Sequence, residues 1–555
     1  MKKWYLKSIM FFLLLFLFNS IFSWKCGADQ LKIKPGIIQP SIEEKRRRLY
    51  SNYNPIKIFA DYSNLKTTNL VDSNTLEKII NLIEDTCKEF SKFIKVEHVN
   101  VQLSGQENFI KERCEVNLLG DGYENYLMNN DLIIFPQFDS TLGINTLAAA
   151  GLCLYSGSNY RPYAGVLFIN PELSFSKRNT EIYMKNLFLH ELTHVLIFNP
   201  DLMKEIGMTN TKIFDGSFVT FINSPKVLTA ARQHFNCQTL NGIPLENQGS
   251  MGSAGAHWEG RYMLGDYMVS TDYIDNVISD ITLALFEDSG FYEVEYYSGG
   301  LFKFGKNAGC SFFENKCLNN GKTDFEKEFC TNFNEDFCSR TRAFKGKCLV
   351  YSYSDTIPKR YRYFDNNKYG GFLIANYCPV SNVEDSNDDY YPTSCFTGTS
   401  TLDSDYGELI SYSSFCFISS LLPVDSSLSL KDQAICYQIS CDKNNKQIIV
   451  NIGKNKVICP SEGGIVKEPE GFKGNISCPE YSDICGMDSE DSEDDSICNE
   501  MFDCINKKIE TDADTFSYFP NEDDIFNKIQ VKSKSQIFKF KFWLLTLSFI
   551  CCISF

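Results

Sequence analysis

The stretch Glu181-Ile182-Tyr183-Met184-Lys185-Asn186-Leu187-Phe188-Leu189-His190-Glu191-Leu192-Thr193-His194-Val195 decides how the rest of the chain is read. It contains the pattern H-E-x-x-H. On a helix, positions i and i+4 stack on one face, so His190 and His194 can both reach one tetrahedral Zn²⁺ at about 2.0–2.1 Å. Glu191 stands beside the ion, where it can take a proton from an activated water instead of acting as a ligand. Leu187, Leu189, Leu192, Val195 and Leu196 have the spacing that buries such a helix, and Thr180 can cap its start. Two ordinary histidines on a buried helix carry the same letters. The pattern therefore needs a third protein ligand before it means a metal site.

His257 is the candidate, in Gly255-Ala256-His257-Trp258-Glu259-Gly260-Arg261 at the exit of a glycine-rich loop, Gly249 to Gly255. Met268 follows in Gly265-Asp266-Tyr267-Met268-Val269. A methionine turn beneath three zinc histidines is the metzincin arrangement, although the short H-x-x-G-x-x-H spacing is absent. A thermolysin-like site with a Glu as third ligand fits less well, because His257 is followed by Met268. His98 and His234 complete the five His of the chain. Neither has a partner at ligand spacing, so both read as hydrogen-bonded structural histidines.

Around this segment, 555 residues leave room for several domains. A composition 43% hydrophobic and 22% charged excludes global disorder. A net charge of −16 repels phosphate backbones and excludes nucleic acid as the expected partner. The 22 Cys contain no C-x-x-C pair, which points to disulfides in an exported chain. Lys2, Lys3 and Lys7 before the apolar run Ile9 to Phe18, with Ser23 as a small exit residue, have the form of a secretory signal peptide. Phe542 to Phe555 is a second apolar run, after a polar stretch with Ser533 and Ser535. It reads as a lipid (GPI) anchor signal, with a tail-anchored helix or an unprocessed tail as alternatives. Lys45-Arg46-Arg47-Arg48 is either a proprotein cleavage site or a solvated loop.

Periodicity predicts a strand over Pro55 to Ala60, a helix over Asn74 to Phe93, strands at Leu132 to Phe135 and Gly165 to Ile169, and a helix from Asp275 to Glu287. From Cys310 to Cys504 the texture changes to fifteen Cys among aromatic and Asp/Asn/Gly-rich sequence, with short strands such as Gln447 to Ile452. The expected fold is an α/β catalytic domain with a mixed central insertion, followed by a disulfide-rich, mainly antiparallel β region. The expected boundaries are 1–23 signal peptide, 24–48 propeptide, 49–200 N-terminal catalytic subdomain, 201–309 central subdomain, 310–505 Cys-rich domain, 506–541 linker and 542–555 anchor signal. Asp488 to Asp495 reads as a solvated acidic linker, and Asn475-Ile476-Ser477 is a glycosylation sequon usable in an exported chain.

Beyond the site, Val227-Leu228-Thr229-Ala230-Ala231-Arg232-Gln233-His234-Phe235-Asn236-Cys237, Thr282-Leu283-Ala284-Leu285-Phe286-Glu287-Asp288-Ser289-Gly290-Phe291-Tyr292 and Gly305-Lys306-Asn307-Ala308-Gly309-Cys310 add further motifs. With these the chain resembles the leishmanolysin family of surface zinc metallopeptidases over roughly residues 24 to 505. The family carries a large insertion between its second and third zinc histidines, and its Met eleven residues beyond the third. The resemblance implies one Zn²⁺ held by His190, His194 and His257, Glu191 as general base and Met268 under the metal. It also implies a pro-region cysteine that silences the zymogen by ligating zinc, for which Cys26 is the match; an ordinary disulfide role for Cys26 stays open. With Cys26 and the tail pair Cys551 and Cys552 set aside, an odd number of Cys is left, so one thiol stays free or Cys26 pairs.

The chain departs from the family at Ile197, where the family has Gly. A left-handed helix exit would cost Ile about 1–2 kcal/mol or more. Alternatively the helix runs a turn further and ends at Asn199-Pro200. The expected function is a secreted or surface-anchored endopeptidase acting on polypeptides, with the strand at Gly165 to Ile169 pairing with an extended substrate. The rival expectation is a catalytically impaired scaffold acting in cell adhesion or recognition.

Overall fold

The structure, a computed structural model, describes residues 31, 33–38 and 53–485, apart from 143–145, 173–180, 215–216, 248–254, 272–275, 296–301, 332, 334, 383–394, 396–401, 404–405 and 412. The chain divides into two units, Met1–Glu490 and Asp491–Phe555, and the described residues belong to the first. The signal segment, Cys26, Lys45 to Arg48, Thr180, the Asp488 to Asp495 run and the C-terminal tail lie outside the described residues.

Strands β1 (Gly36–Ile38), β2 (Tyr53–Pro55) and β3 (Ile58–Ala60) lead to helix α1 (Ser73–Phe93). Strands β4 (Ile94–Glu97), β5 (Leu132–Phe138), β6 (Ala148–Ser156) and β7 (Pro162–Ile169) then precede α2 (Glu181–Leu196), the H-E-x-x-H helix. Next come α3 (Pro200–Glu205), the hairpin β8 (Thr209–Phe214) and β9 (Ser217–Ile222), α4 (Pro225–Phe235), β10 (Ile243–Pro244), α5 (Asp280–Asp288) and β11 (Tyr292–Val294). The main sheet has the order β1-β6-β7-β5-β3. In it β3, β5 and β7 run parallel, β6 runs antiparallel to β7, and β1 pairs in parallel with β6.

Local chemistry explains the two long helices. Asp72 caps α1 by accepting the N–H groups of Asn74 and Thr75. Ile79, Leu82, Ile83, Cys87, Phe90 and Phe93 then form its buried stripe at three- and four-residue steps. Helix α2 is buried on every side from Leu187 to Leu196, as befits a helix enclosed by α1 and the sheet. Its close approach to β7 depends on Gly165. A Cβ there would stand 2.3 and 2.5 Å from the two γ-carbons of Val195.

Three sequence expectations need correction. Pro55 to Ala60 is not one strand: β2 pairs with β4 and β3 with β5, and Ile56 between them donates to the Ile94 carbonyl. The helix expected from Asp275 begins at Asp280, because the Ser279 hydroxyl caps it by accepting the Thr282 N–H. The strand at Gly165 to Ile169 cannot pair with substrate. It lies inside β7, whose two edges are taken by β5 and β6.

The C-terminal region contains a six-stranded antiparallel sheet of β12 (Ser414–Ser419), β13 (Gln433–Asp442), β14 (Gln447–Ile452), β15 (Asn455–Cys459), β16 (Gly464–Lys467) and β17 (Asn475–Cys478). Their order is β15-β14-β13-β12-β17-β16. Disulfides Cys317–Cys378, Cys330–Cys348, Cys338–Cys416, Cys395–Cys436, Cys441–Cys485 and Cys459–Cys478 staple it. One of its buried clusters is mostly cysteine (Cys338, Cys395, Cys416 and Cys436 with Ala434), so cross-links stand in for apolar volume. Cys237–Cys310 ties the end of α4 to the start of this region, and Cys114–Cys153 lies in the α/β half. Among the described residues the free thiol is the buried Cys87.

Candidate metal centre

The histidine pair on α2 owes its direction to helix geometry: His190 and His194 lie one turn apart, with their Nε2 atoms 3.1 Å from each other. His257 arrives from the central insertion. Leu245 forms a bridge with Trp258, and the Glu246 N–H donates to the His257 carbonyl at 2.8 Å. One ligand atom from each of the three imidazoles lies within 4.8 Å of the other two. Their exposures are 3%, 2% and 1%, so water does not screen the cluster.

Each ring is oriented through Nδ1. His190 meets the Tyr267 carbonyl at 2.5 Å, His194 the Phe198 carbonyl at 2.8 Å and His257 the Glu246 Oε2 at 2.9 Å. A carbonyl oxygen can only accept, so the proton sits on Nδ1 and Nε2 turns its lone pair inward. Burial, reinforced by the neighbouring imidazoles, holds His190 well below the usual histidine range and His194 down at about 3. Three imidazoles held through Nδ1 and converging on one point suit a His₃ zinc site.

Glu191 is fully buried, and its Oε2 accepts the Ala150 N–H of β6 at 2.9 Å. Met268 is buried too; its N–H donates to Asp266 Oδ1 at 2.8 Å and its carbonyl accepts the Trp258 N–H at 3.0 Å. Asp266 Oδ2 accepts the Thr282 hydroxyl at 2.7 Å, which anchors the turn to α5. Tyr267, between Asp266 and Met268, supplies the carbonyl that orients His190.

The helix exit differs from both forms expected of it. Ile197 lies outside the left-handed region and is fully buried. The Ile197 and Phe198 N–H groups both donate to the Thr193 carbonyl at 2.9 Å, the first an ordinary i→i−4 bond and the second an i→i−5 closure that needs no glycine. Asn199-Pro200 does not end α2 but opens α3: the Asn199 side chain accepts the Leu202 N–H, with Pro200 at the first helical position.

The remaining histidines are structural, as their spacing suggested. His98 Nδ1 faces Asp131 Oδ1 at 2.8 Å, and His234 Nε2 donates to the Phe304 carbonyl at 2.9 Å. Sequence reasoning missed Glu246, the Ala150 N–H and the Tyr267 carbonyl. The last two are backbone groups without a residue signature. Glu246, in Pro244-Leu245-Glu246-Asn247, carries the one available hint, a lone carboxylate directly after a short apolar run.

The model of the Leishmanolysin family matches residues 94–491 of the chain. A leishmanolysin homolog of Crithidia fasciculata is 27% identical over 387 residues, 65% of this chain and 56% of that protein. Leishmanolysin of Leishmania chagasi is 28% identical over 378 residues, 65% of this chain and 60% of its own. A leishmanolysin-like peptidase of Drosophila melanogaster is 29% identical over 214 residues, 35% of this chain and 31% of that protein. The chain thus spans 56–60% of the length of the first two relatives. The family match runs from β4, through the three converging imidazoles, to the stapled β region, and on that ground the chain belongs to the leishmanolysin (M8 peptidase) family.

Proposed function

We propose that this chain is a zinc-dependent endopeptidase of the secretory pathway that hydrolyses polypeptides, with His190, His194 and His257 as metal ligands. The observation that carries the reading is the convergence of three buried imidazoles beside a buried glutamate. Bound Zn²⁺ supplies Lewis acidity to the attacking water and the scissile carbonyl. Glu191 takes the proton from that water and returns it to the leaving amine. The Ala150 N–H keeps the carboxylate aimed, and Met268 forms the floor under the histidines. Ile197 outside the left-handed region supports the catalytic over the adhesive reading.

The substrate strand is assigned to the outer edge of β6 rather than to β7. Strand β6 touches Glu191 through Ala150, and among the described residues β1 pairs with it at Leu154 to Ser156. An extended peptide then adds along Ala148 to Leu152. Leu31 and Ile33 pack over Gly151 of that stretch. This supports reading residues 24–48 as a propeptide lying across the substrate's place, with Cys26 as its zinc-directed thiol. Signal peptide 1–23, the boundaries at 200, 309 and 505, and a lipid or tail anchor at 542–555 complete the proposal. Eight disulfides among the described residues accord with export.

The test is casein hydrolysis by the protein freed of residues 24–48, with and without a zinc chelator, beside Glu191→Gln. Chelator-sensitive cleavage abolished by the substitution is expected. Stoichiometric zinc without cleavage would sink the peptidase reading.

A further inference from the structure

We infer that Glu246 is the positioning residue of the third imidazole, holding His257 in the tautomer and direction that complete the metal centre; this rests on the zinc reading above. His190 and His194 inherit their directions from one helix. His257 lies in a loop, where no regular backbone sets its ring. Glu246 supplies what the helix does not. Its Oε2 lies 2.9 Å from His257 Nδ1, its Oε1 accepts the Ser270 hydroxyl at 2.9 Å, and its side chain is 4% exposed. Backbone bonds close the same unit: the Glu246 N–H donates to the His257 carbonyl at 2.8 Å, and the Gly255 N–H donates to the Glu246 carbonyl at 2.9 Å.

The chemistry differs from that of the other two rings. His190 and His194 donate to neutral carbonyls, whereas His257 donates to a carboxylate. A carboxylate acceptor makes the charge-assisted, stronger bond and increases electron donation from Nε2 toward a cation. It also adds to Glu191 a second buried carboxylate beside the histidines. Because Ser270 holds the second oxygen, the carboxylate cannot swing away from His257. Ser270 lies two residues beyond Met268, so Glu246 joins the third ligand to the methionine turn.

Zinc competition against a chromophoric chelator, on the full chain and its Glu246→Gln and Glu246→Ala variants, tests this. The cobalt-substituted absorption spectrum of each is the second readout. Glu246→Ala should lose about 10–100-fold in zinc affinity and shift the cobalt bands. Glu246→Gln, isosteric and still able to accept the Nδ1–H, should recover much of the affinity and a near-native spectrum. Unchanged zinc affinity in both variants, or equal losses in both, overturns the assignment. A wild-type chain that takes up no zinc sinks the metal-site reading, and this proposal with it.

Discussion

A single methyl group at Gly165 should reach the metal centre through the packing of α2. An added Cβ meets Val195 Cγ1 at 2.3 Å, Cγ2 at 2.5 Å and Cβ at 3.0 Å. Carbon atoms pack at about 3.5–4.0 Å, so β7 and α2 must part by about 1 Å. Val195 cannot turn aside. A β-branched residue in a helix holds nearly one rotamer, and both γ-carbons are in the way. With Val195 and the whole of β7 buried, the strain falls on the core, at about 1–3 kcal/mol or somewhat more. His194 is the residue before Val195, and zinc–ligand distances tolerate only about 0.2 Å. Gly165→Ala should therefore melt several degrees below wild type and bind zinc more weakly. Differential scanning fluorimetry of apo and zinc-loaded protein, with chelator competition, reads both effects. Val195→Ala removes both offending carbons at about 2 kcal/mol of its own. In the double variant the costs should fall short of their sum by about 1 kcal/mol or more. A Gly165→Ala protein with wild-type melting and zinc affinity, or strictly additive costs, refutes the reasoning.

Three further outcomes are expected. Ile197→Gly restores the family residue but removes a fully buried side chain, at about 2–5 kcal/mol plus about 1 for glycine's backbone freedom, and zinc affinity should not improve. A variant melting at or above wild type would mean that Ile197 is strained. Burial, with Lys306 and Arg340 adding repulsion, pushes the Lys303 ammonium from 10.5 down to about 7. Between those values the unfolded chain binds the extra proton, so stability rises with pH across that window, on the order of a few kcal/mol in all. Lys303→Met lacks this dependence, so its melting advantage should be large near pH 6.5 and shrink toward pH 10; parallel curves contradict it. Finally, protein without residues 24–48 should cleave casein faster than the longer chain, and a peptide of residues 31–38 should compete with substrate. Equal rates argue against a pro-segment lying on β6.

Much of the site was legible because helix geometry converts spacing into direction. His190 and His194 needed only their i,i+4 separation, and the apolar stripe of α1 only its three- and four-residue steps. His257 was reachable through Met268 and the family resemblance, since nothing in a separation of 63 residues from His194 requires two segments to meet. The expected cost at Ile197 came from assuming one way of ending a helix; the Thr193 carbonyl, accepting two N–H groups, provides another.

What the amino-acid sequence determined by itself was therefore local or compositional. It set the histidine pair and the glutamate between them, the helix that carries them, and a cysteine-rich composition, 22 Cys, suited to cross-linking. The tertiary structure alone decided strand order, which encloses β7 and leaves β6 at Glu191's side. It also decided the acceptors behind each imidazole: two backbone carbonyls and Glu246. The reason is physical. Backbone carbonyls and N–H groups are the same at nearly every residue, and a glutamate just past a short strand resembles any other. Their roles arise only when long-range pairing, here the Leu245–Trp258 bridge, brings them to the same few ångströms as the histidines.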